Sequence, residues 1–219
     1  MEVASFRKKE LISNYIILGI FAIVSLAPIL VLIFNAFKPA VEFGTNPIGL
    51  PNNITFQNFP DAWVQGEYSK IFFNSFKLVF GTLILCISVS SLAGFSLAKL
   101  NPKGANLVAI YLLVGISIPA QMFLLPLFLL WKNLGLLNTH IGLIIIYSAL
   151  NAPFATFLIR SYMIRLPDEL FDAAKIDGAN IFQQFFRVAI PLSWPVLLTS
   201  ALVVGLAVWN EFLFALTFV

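Results

Sequence analysis

Few residues in this chain of 219 have side chains that could catalyse a reaction or hold a metal ion. The sequence has one histidine, His140, and one cysteine, Cys86. A metal site or cysteine–histidine catalysis needs several such groups close together, so neither a metal site nor enzyme activity is expected. No GxxxxGKS or GxxxxGKT sequence occurs, which excludes nucleotide binding by a P-loop. Cys86 lies in an apolar run and is predicted to be a small buried hydrophobic residue.

The composition indicates a chain that lies in lipid. Hydrophobic residues make up 60% of it and charged residues 11%, with a mean hydropathy of +0.94, whereas soluble domains carry about 25% charged residues. Five stretches contain no Asp, Glu, Lys or Arg: Leu11–Phe37, Leu78–Ala98, Gly104–Trp131, Ile141–Ile159 and Val188–Asn210. Each is long enough to cross a bilayer as a helix. The predicted fold is therefore an all-α membrane protein with five transmembrane helices.

The first stretch is longer than the apolar core of a signal peptide and is expected to be a retained membrane anchor. The distribution of lysine and arginine between the loops then predicts which way the chain is oriented in the membrane. With residues 1–10 as a cytoplasmic segment, nine of the 13 Lys and Arg residues fall inside and four outside, which favours this topology. Residues 11–219 form the transmembrane domain, and its 160–187 loop faces the cytoplasm. The 38–77 loop lies outside and is either an irregular cap over the bundle or a docking surface for a soluble partner.

Polar side chains within the predicted spans are costly in lipid and usually face the interior of a bundle. Three of them, together with Glu211 directly after the fifth span, are candidates for contact with a transported solute: Gln121, Asn151, Asn210 and Glu211. Pro119 and Pro126 flank Gln121, and Pro153 follows Asn151. Prolines free backbone carbonyls, and such broken helices often line a cavity. The alternative is that the four side chains bond to neighbouring helices or to backbone.

The polar segment, residues 168–187, is predicted to form two short helices. Pro167 suits the first position of a helix, and Asp168 and Glu169 lie favourably near its positive end. One face is small and apolar at helical spacing: Leu170, Ala173, Ala174 and Asp177. Gly178 fits a left-handed turn after this helix, and Asp177 is expected to cap the next one.

The second helix carries apolar residues at helical spacing: Ile181, Phe182, Phe185, Phe186 and Ile190. Pro191 and Pro195 should bend the chain where the fifth span starts. A helix with a small face fits a groove on another protein. The alternative is an amphipathic connector on the membrane surface. Such connectors usually carry more Lys and Arg, and the acidic start of this helix favours a protein partner.

The stretch DAAKIDGANIFQQFFRVAIPLSWP is similar to the EAA loop of ABC-transporter importer permeases. The pattern of that loop is E-A-A-x-x-x-G, followed about nine residues later by hydrophobic-x-L-P. Residues 172–174 and Gly178 match its start, and Ile190 and Pro191 match its end. Asp172 replaces the usual glutamate and is shorter by one methylene. AGFSLAKLNPKG and WNEFLFAL also resemble the carbohydrate-importing branch, nearest to the maltose-type second permease subunit. That subunit type has six spans, and the sixth is expected to be missing here.

The resemblance implies half of the translocation path for a sugar or oligosaccharide, in a bacterial or archaeal inner membrane. The implied partners are a homologous permease, two ATPase subunits that bind ATP and Mg²⁺, and an extracytoplasmic binding protein. No cofactor in this chain and no nucleic acid are implied. The implied coupling residues are Asp172, Ala173, Ala174, Asp177, Gly178, Ala179 and Phe182. Coupling would occur as the ATPase moves the polar segment and the spans switch between inward-open and outward-open states.

Two alternatives stay open. One is an importer of the same class for glycerol phosphate or another polar solute, although no arginine cluster lies within the spans to favour a phosphorylated cargo. The other is a secondary transporter or channel that works alone. Such a protein should have inverted repeats or paired charges at mid-membrane, and no Asp, Glu, Lys or Arg lies inside a predicted span.

Overall fold

The computed structural model describes residues 2–219, without the side chains of residues 2–10, 12 and 13. Within these residues all regular structure is helical, which confirms the predicted fold class. The chain divides into two compact units, Met1–Ile71 and Phe72–Val219. Helix α4 continues across the boundary between them.

The first unit contains α1 (Glu2–Ala36), α2 (Ala40–Thr45), α3 (Asn58–Gln65) and the start of α4 (Tyr68–Phe95). Helix α1 begins before the predicted span and continues through Pro28 without a break. The loop after it is ordered by polar contacts. The buried Nζ of Lys38 donates to the Asn35 side chain at 2.9 Å and to the Asn46 carbonyl at 2.6 Å. Hydrogen bonds from the backbone N–H groups of Asn52 and Asn53 hold the pKa of Glu42 below its ordinary value.

The second unit carries the other helices. In chain order they follow α4 as π1 (Ser96–Leu100), α5 (Ala105–Ser117), a 3-10 turn (Ala120–Phe123), α6 (Leu124–Leu134), α7 (His140–Met163), α8 (Asp168–Ile176), α9 (Ile181–Gln184), π2 (Phe185–Ala189), α10 (Ile190–Leu192), α11 (Trp194–Trp209) and α12 (Leu213–Phe218). Here π1 and π2 are π-helices, in which backbone bonds join residues five apart.

The predicted spans correspond to three continuous helices and two bent pairs. Asn14–Ala36, Tyr68–Leu100 and His140–Met163 are each long and apolar enough to cross a membrane. Ala105–Ser117 and Ala120–Leu134 meet at 91°, and Ile181–Leu192 and Trp194–Trp209 meet at 76°, so the number of spans is five if each pair is one span. The proline-rich sequences at Pro119 and Pro191 were predicted to bend these two spans, and both bends are confirmed.

The fourth span was expected to break at Pro153, and this prediction was wrong. Helix α7 continues from His140 to Met163 through Pro153. One missing N–H removes a single backbone bond, and α7 packs against both α5 and α11.

Small residues let the helices of the second unit approach closely. A Cβ at Gly94 would lie 3.0 Å from the Ile159 side chain and 3.2 Å from the Arg160 backbone nitrogen. Ser90 Oγ donates to the Ala152 carbonyl at 3.3 Å. Both residues therefore pack α4 against α7. Cys86 is buried in the same core, as predicted.

Candidate functional site

The polar segment forms two short helices joined by a tight turn, as predicted. Gly178 has a φ of +82°, in the left-handed region where glycine is favoured. The turn is closed by hydrogen bonds from the Gly178 N–H to the Lys175 carbonyl and from the Ala179 N–H to the Ala174 carbonyl. Helix α8 begins at Asp168, one residue later than predicted, because Pro167 precedes the helix with an extended ψ of 130°.

The prediction that Asp177 caps the second helix was wrong. Asn180 caps it: its side chain accepts the Gln183 N–H at 2.9 Å, and the Gln183 side chain accepts the Asn180 N–H at 2.8 Å. Asp177 ends α8 and lies four residues before Ile181, too far upstream to cap α9. The Asn-x-x-Gln spacing is the sequence signal that identifies this reciprocal cap.

The inner face of the polar segment is anchored by aromatic rings. Phe171 of α8 and Phe185 of π2 are buried and both lie against Phe95 of α4, with ring centroids 6.1 Å and 5.3 Å from it. Lys99 adds a polar anchor: its Nζ donates to the Leu166 carbonyl at 2.7 Å and to Asp168 Oδ1 at 2.6 Å. Sequence reasoning assigned no role to Lys99.

The Lys99–Asp168 contact affects the ionisation of the carboxylate. The hydrogen bond from Lys99, together with its positive charge, holds the pKa of Asp168 below its ordinary value. The carboxylate therefore stays charged and bonded to Lys99 throughout the neutral range. The Asp168 side chain is 81% exposed, and the Lys99 side chain only 6%.

The outer face of the polar segment is exposed and carries the predicted coupling residues. Ile176 and Phe182 are 87% and 69% exposed. The other coupling positions on this face are exposed or partly exposed: Asp172, Ala173, Ala174, Asp177, Gly178 and Ala179. Asp172 accepts a hydrogen bond from Lys175 at 2.9 Å on the same helix. The outer face of the polar segment thus exposes small and apolar side chains beside the carboxylates of Asp172 and Asp177. Its inner face is fixed to the rest of the unit.

The bend in the third span opens onto a cavity of about 640 Å³. Gln121 lies in the 3-10 turn at this bend and lines the cavity. Ala149 and Pro153 of α7 line the opposite wall, and Pro153 has no N–H to donate to the Ala149 carbonyl. The lining therefore includes one amide side chain, that of Gln121, and one residue, Ala149, whose carbonyl lacks the usual helical donor.

The other three candidates for solute contact are not among the residues that line this cavity, and they are bonded within the protein. Asn151 donates to the Tyr147 carbonyl at 2.8 Å, and Asn210 donates to the Leu206 carbonyl at 2.8 Å, each on its own helix. Glu211 accepts the Tyr147 hydroxyl at 2.7 Å. Tyr147 thus links Asn151 and Glu211, and neither of these two lines the cavity that Gln121 lines. No sequence signal singled out Tyr147.

Glu211 also holds the start of α12. Its carboxylate accepts the backbone N–H of Phe214 at 2.9 Å and that of Ala215 at 3.2 Å. Together with the Tyr147 hydroxyl, three donors surround one carboxylate. In the part of the chain that the structure describes, no three His, Cys, Asp or Glu side chains are placed to hold a metal ion.

Relatives of this chain are transport proteins. It is 32% identical to the diacetylchitobiose uptake system permease protein NgcG of Streptomyces coelicolor over 91% of this chain and 66% of that protein. It is 37% identical to the arabinooligosaccharides transport system permease protein AraQ of Halalkalibacterium halodurans over 89% of this chain and 71% of that protein. The chain thus spans about two thirds of the length of these relatives.

A solved structure has the same fold. It is a bacterial ABC transporter involved in the import of the acidic polysaccharide alginate, one chain of which matches with a TM-score of 0.78 and 26% identity. The match covers 97% of this chain and 75% of that chain. Residues 89–219, which include the polar segment, the bent third span and Glu211, match the family described as binding-protein-dependent transport system inner membrane component. The chain belongs to this family of inner membrane transport components.

Proposed function

We propose that the chain is a permease subunit of an ATP-driven ABC importer and forms half of the translocation path for a sugar or oligosaccharide. Its polar segment faces the cytoplasm and seats in a separate ATPase subunit. The observation that carries this proposal is the geometry of that segment. Its inner face is fixed to α4 by Phe171, Phe185 and Lys99, whereas its outer face exposes small and apolar residues. A partner that pushes on the outer face would therefore move the bundle.

The proposed assembly contains a homologous second permease, two ATPase subunits and an extracytoplasmic binding protein. ATP and Mg²⁺ bind in the ATPase subunits. The chain crosses the inner membrane several times with its N-terminus in the cytoplasm, as the distribution of Lys and Arg favours. The two relatives are named for diacetylchitobiose uptake and arabinooligosaccharide transport, and this supports a carbohydrate cargo.

Docking through the outer face is tested by Ala173→Arg. The exposed Ala173 lies on α8 where a close-fitting partner would contact it. Overfilling a packed interface costs about 1–3 kcal/mol, and each 1.4 kcal/mol changes affinity about tenfold. We expect the affinity for the ATPase to fall about tenfold, so that less ATPase co-purifies with the variant and uptake into vesicles falls.

Ala173→Ser is the matched control, because it keeps the side chain small at the same position. It should retain the ATPase and transport normally. Full ATPase association and uptake by Ala173→Arg would show that the outer face of α8 is not the docking surface.

The cavity at the bend of the third span is proposed as part of the cargo path, with Gln121 as a hydrogen-bonding group. Sugars present many hydroxyls that amide groups and backbone carbonyls can bond. We place Asn151, Asn210 and Glu211 at the edge of this path, since their side chains already bond within the protein.

Gln121→Ala is expected to raise the KM for uptake about fivefold, since a hydrogen bond contributes about 1 kcal/mol. Stimulation of the ATPase should stay normal. Met122→Ala is the control, because Met122 lies in the same turn but does not line the cavity. An unchanged KM in Gln121→Ala, with labelled sugar as the substrate, would remove Gln121 from the path.

A further inference from the structure

We propose that Lys99 is a positioning residue that transmits the movement of α8 to the second span. This inference rests on the proposed function, because it assumes that an ATPase moves α8. The role is distinct from docking, since the Lys99 side chain is 6% exposed and lies on the inner side of the polar segment.

The Lys99 ammonium contacts the start of α8 at three points. It donates to the carbonyl of Leu166, two residues before the helix, and to the carboxylate of Asp168, its first residue. It also lies 5.0 Å from the ring centroid of Phe171, one turn further along. A lysine ammonium has three donors and no acceptor. Two oxygens and an aromatic face therefore satisfy it almost completely.

A need to fill space does not explain why a lysine occupies position 99. Lysine is rarely buried without partners, because removing the ammonium from water is costly. The N-terminal end of a helix also carries partial positive charge, which disfavours a cation there. The Leu166 carbonyl and the Asp168 carboxylate offset both costs. An apolar side chain would fill the same space without them, so the lysine is explained by the connection that it makes.

The connection joins parts of the chain that are far apart in sequence. Lys99 lies in π1, which continues α4 directly, and its contacts lie 67 and 69 residues further on. Phe95, one turn earlier, packs against Phe171 and Phe185. Contacts between these buried rings hold α8 and α4 together, but they are non-directional and resist sliding and rotation only weakly. Directional hydrogen bonds from Lys99 supply a link that also transmits sliding and rotation.

The test measures cargo transported per ATP hydrolysed in the assembled transporter. Lys99→Met keeps the length and apolar stem of the side chain and removes the ammonium. We expect the ratio to fall about tenfold, within the range of coupling between distant sites. The yield of the complex with its ATPase and its melting temperature should stay near the unsubstituted values. Lys99→Arg, which can donate to the same oxygens, should restore most of the ratio.

Lys103→Met is the matched control, because Lys103 is an exposed lysine in the turn that follows π1. It should transport with the normal ratio. Asp168→Asn should lower the ratio only about twofold, because the Asp168 side chain is 81% exposed to water, which weakens its pairing, and the Leu166 carbonyl remains bonded.

The outcomes separate this inference from the proposed function. If the unsubstituted chain recruits no ATPase, the proposed function fails. If it recruits one and transports, but Lys99→Met has the normal ratio, the role of Lys99 is overturned. Should Lys99→Met not assemble, Lys99→Gln keeps a donor for the Leu166 carbonyl without the charge. An intermediate ratio in that variant supports the role, and a normal ratio overturns it.

Discussion

Gly178→Pro is expected to abolish ATP-driven uptake while the protein still inserts into the membrane. The φ of Gly178 is +82°, and a proline ring fixes φ near −65°. The substitution also removes the N–H that bonds the Lys175 carbonyl. The turn between α8 and α9 must therefore rebuild, and the outer face of the polar segment can no longer keep its shape. Uptake into vesicles, with ATP hydrolysis measured in parallel, should show loss of the coupled rate.

Two comparisons separate this effect from general damage. Gly178→Asn should keep most of the uptake, because asparagine tolerates left-handed backbone better than other residues with a side chain. Gly135→Pro imposes the same conflict at another left-handed turn, with a φ of +68°, outside the polar segment. It should retain ATPase association. Normal uptake by Gly178→Pro would exclude the polar segment as the element that couples the permease to the ATPase.

Glu211→Ala is expected to destabilise the transmembrane unit strongly. Its carboxylate accepts hydrogen bonds from the Tyr147 hydroxyl and from two backbone N–H groups of α12. Tyr147 is 2% exposed, so its hydroxyl would lose its acceptor without access to water. Each buried group left without a partner costs about 1–3 kcal/mol, and the sum corresponds to a melting temperature lower by about 10 °C. Thermal unfolding in nanodiscs measures this change.

Conservative variants measure how much each hydrogen bond to the Glu211 carboxylate contributes to stability. Glu211→Gln keeps an acceptor oxygen and should lose about half as much stability. Tyr147→Phe removes one donor and leaves the two backbone bonds, so it should cost about 1 kcal/mol. If Glu211→Ala melts at the normal temperature yet takes up less sugar, Glu211 contacts the cargo and does not stabilise the fold.

The membrane helices were predictable because their signal is local. A run without charges must satisfy its backbone as a helix in lipid, and the five runs correspond to three continuous helices and two bent pairs. The bends at Pro119 and Pro191 were predicted correctly, but the break at Pro153 was not, so a proline alone does not decide whether a helix bends. Pro28 and Pro153 lie within continuous helices, whereas Pro119 follows a break. Tertiary packing on both sides decides whether one lost backbone bond becomes a bend.

In the candidate site, too, most features set by neighbouring residues were predicted, and the contacts between residues far apart in the sequence were not. The left-handed turn at Gly178 and the helical spacing of Phe182 and Phe185 follow from a few neighbouring residues, and they were predicted. Lys99 contributed only to a charge count, because its partners lie far away in the sequence. The cap at Asn180 was missed although its signal is local, because Asp177 offered an alternative carboxylate close by.

The two π-helical stretches make the chain tolerant of a change in length at two places. A π turn holds one residue more than the α-helix around it. The wider turn takes up this extra residue locally, so the side chains beyond it keep nearly the facing of an uninterrupted α-helix. Removing one residue from Phe185–Ala189 would therefore restore an ordinary α-helix with little change in facing. The same deletion inside α8 would rotate the later side chains of that helix by about 100°. Functional relatives should therefore differ by one residue at Phe185–Ala189 more readily than within α8.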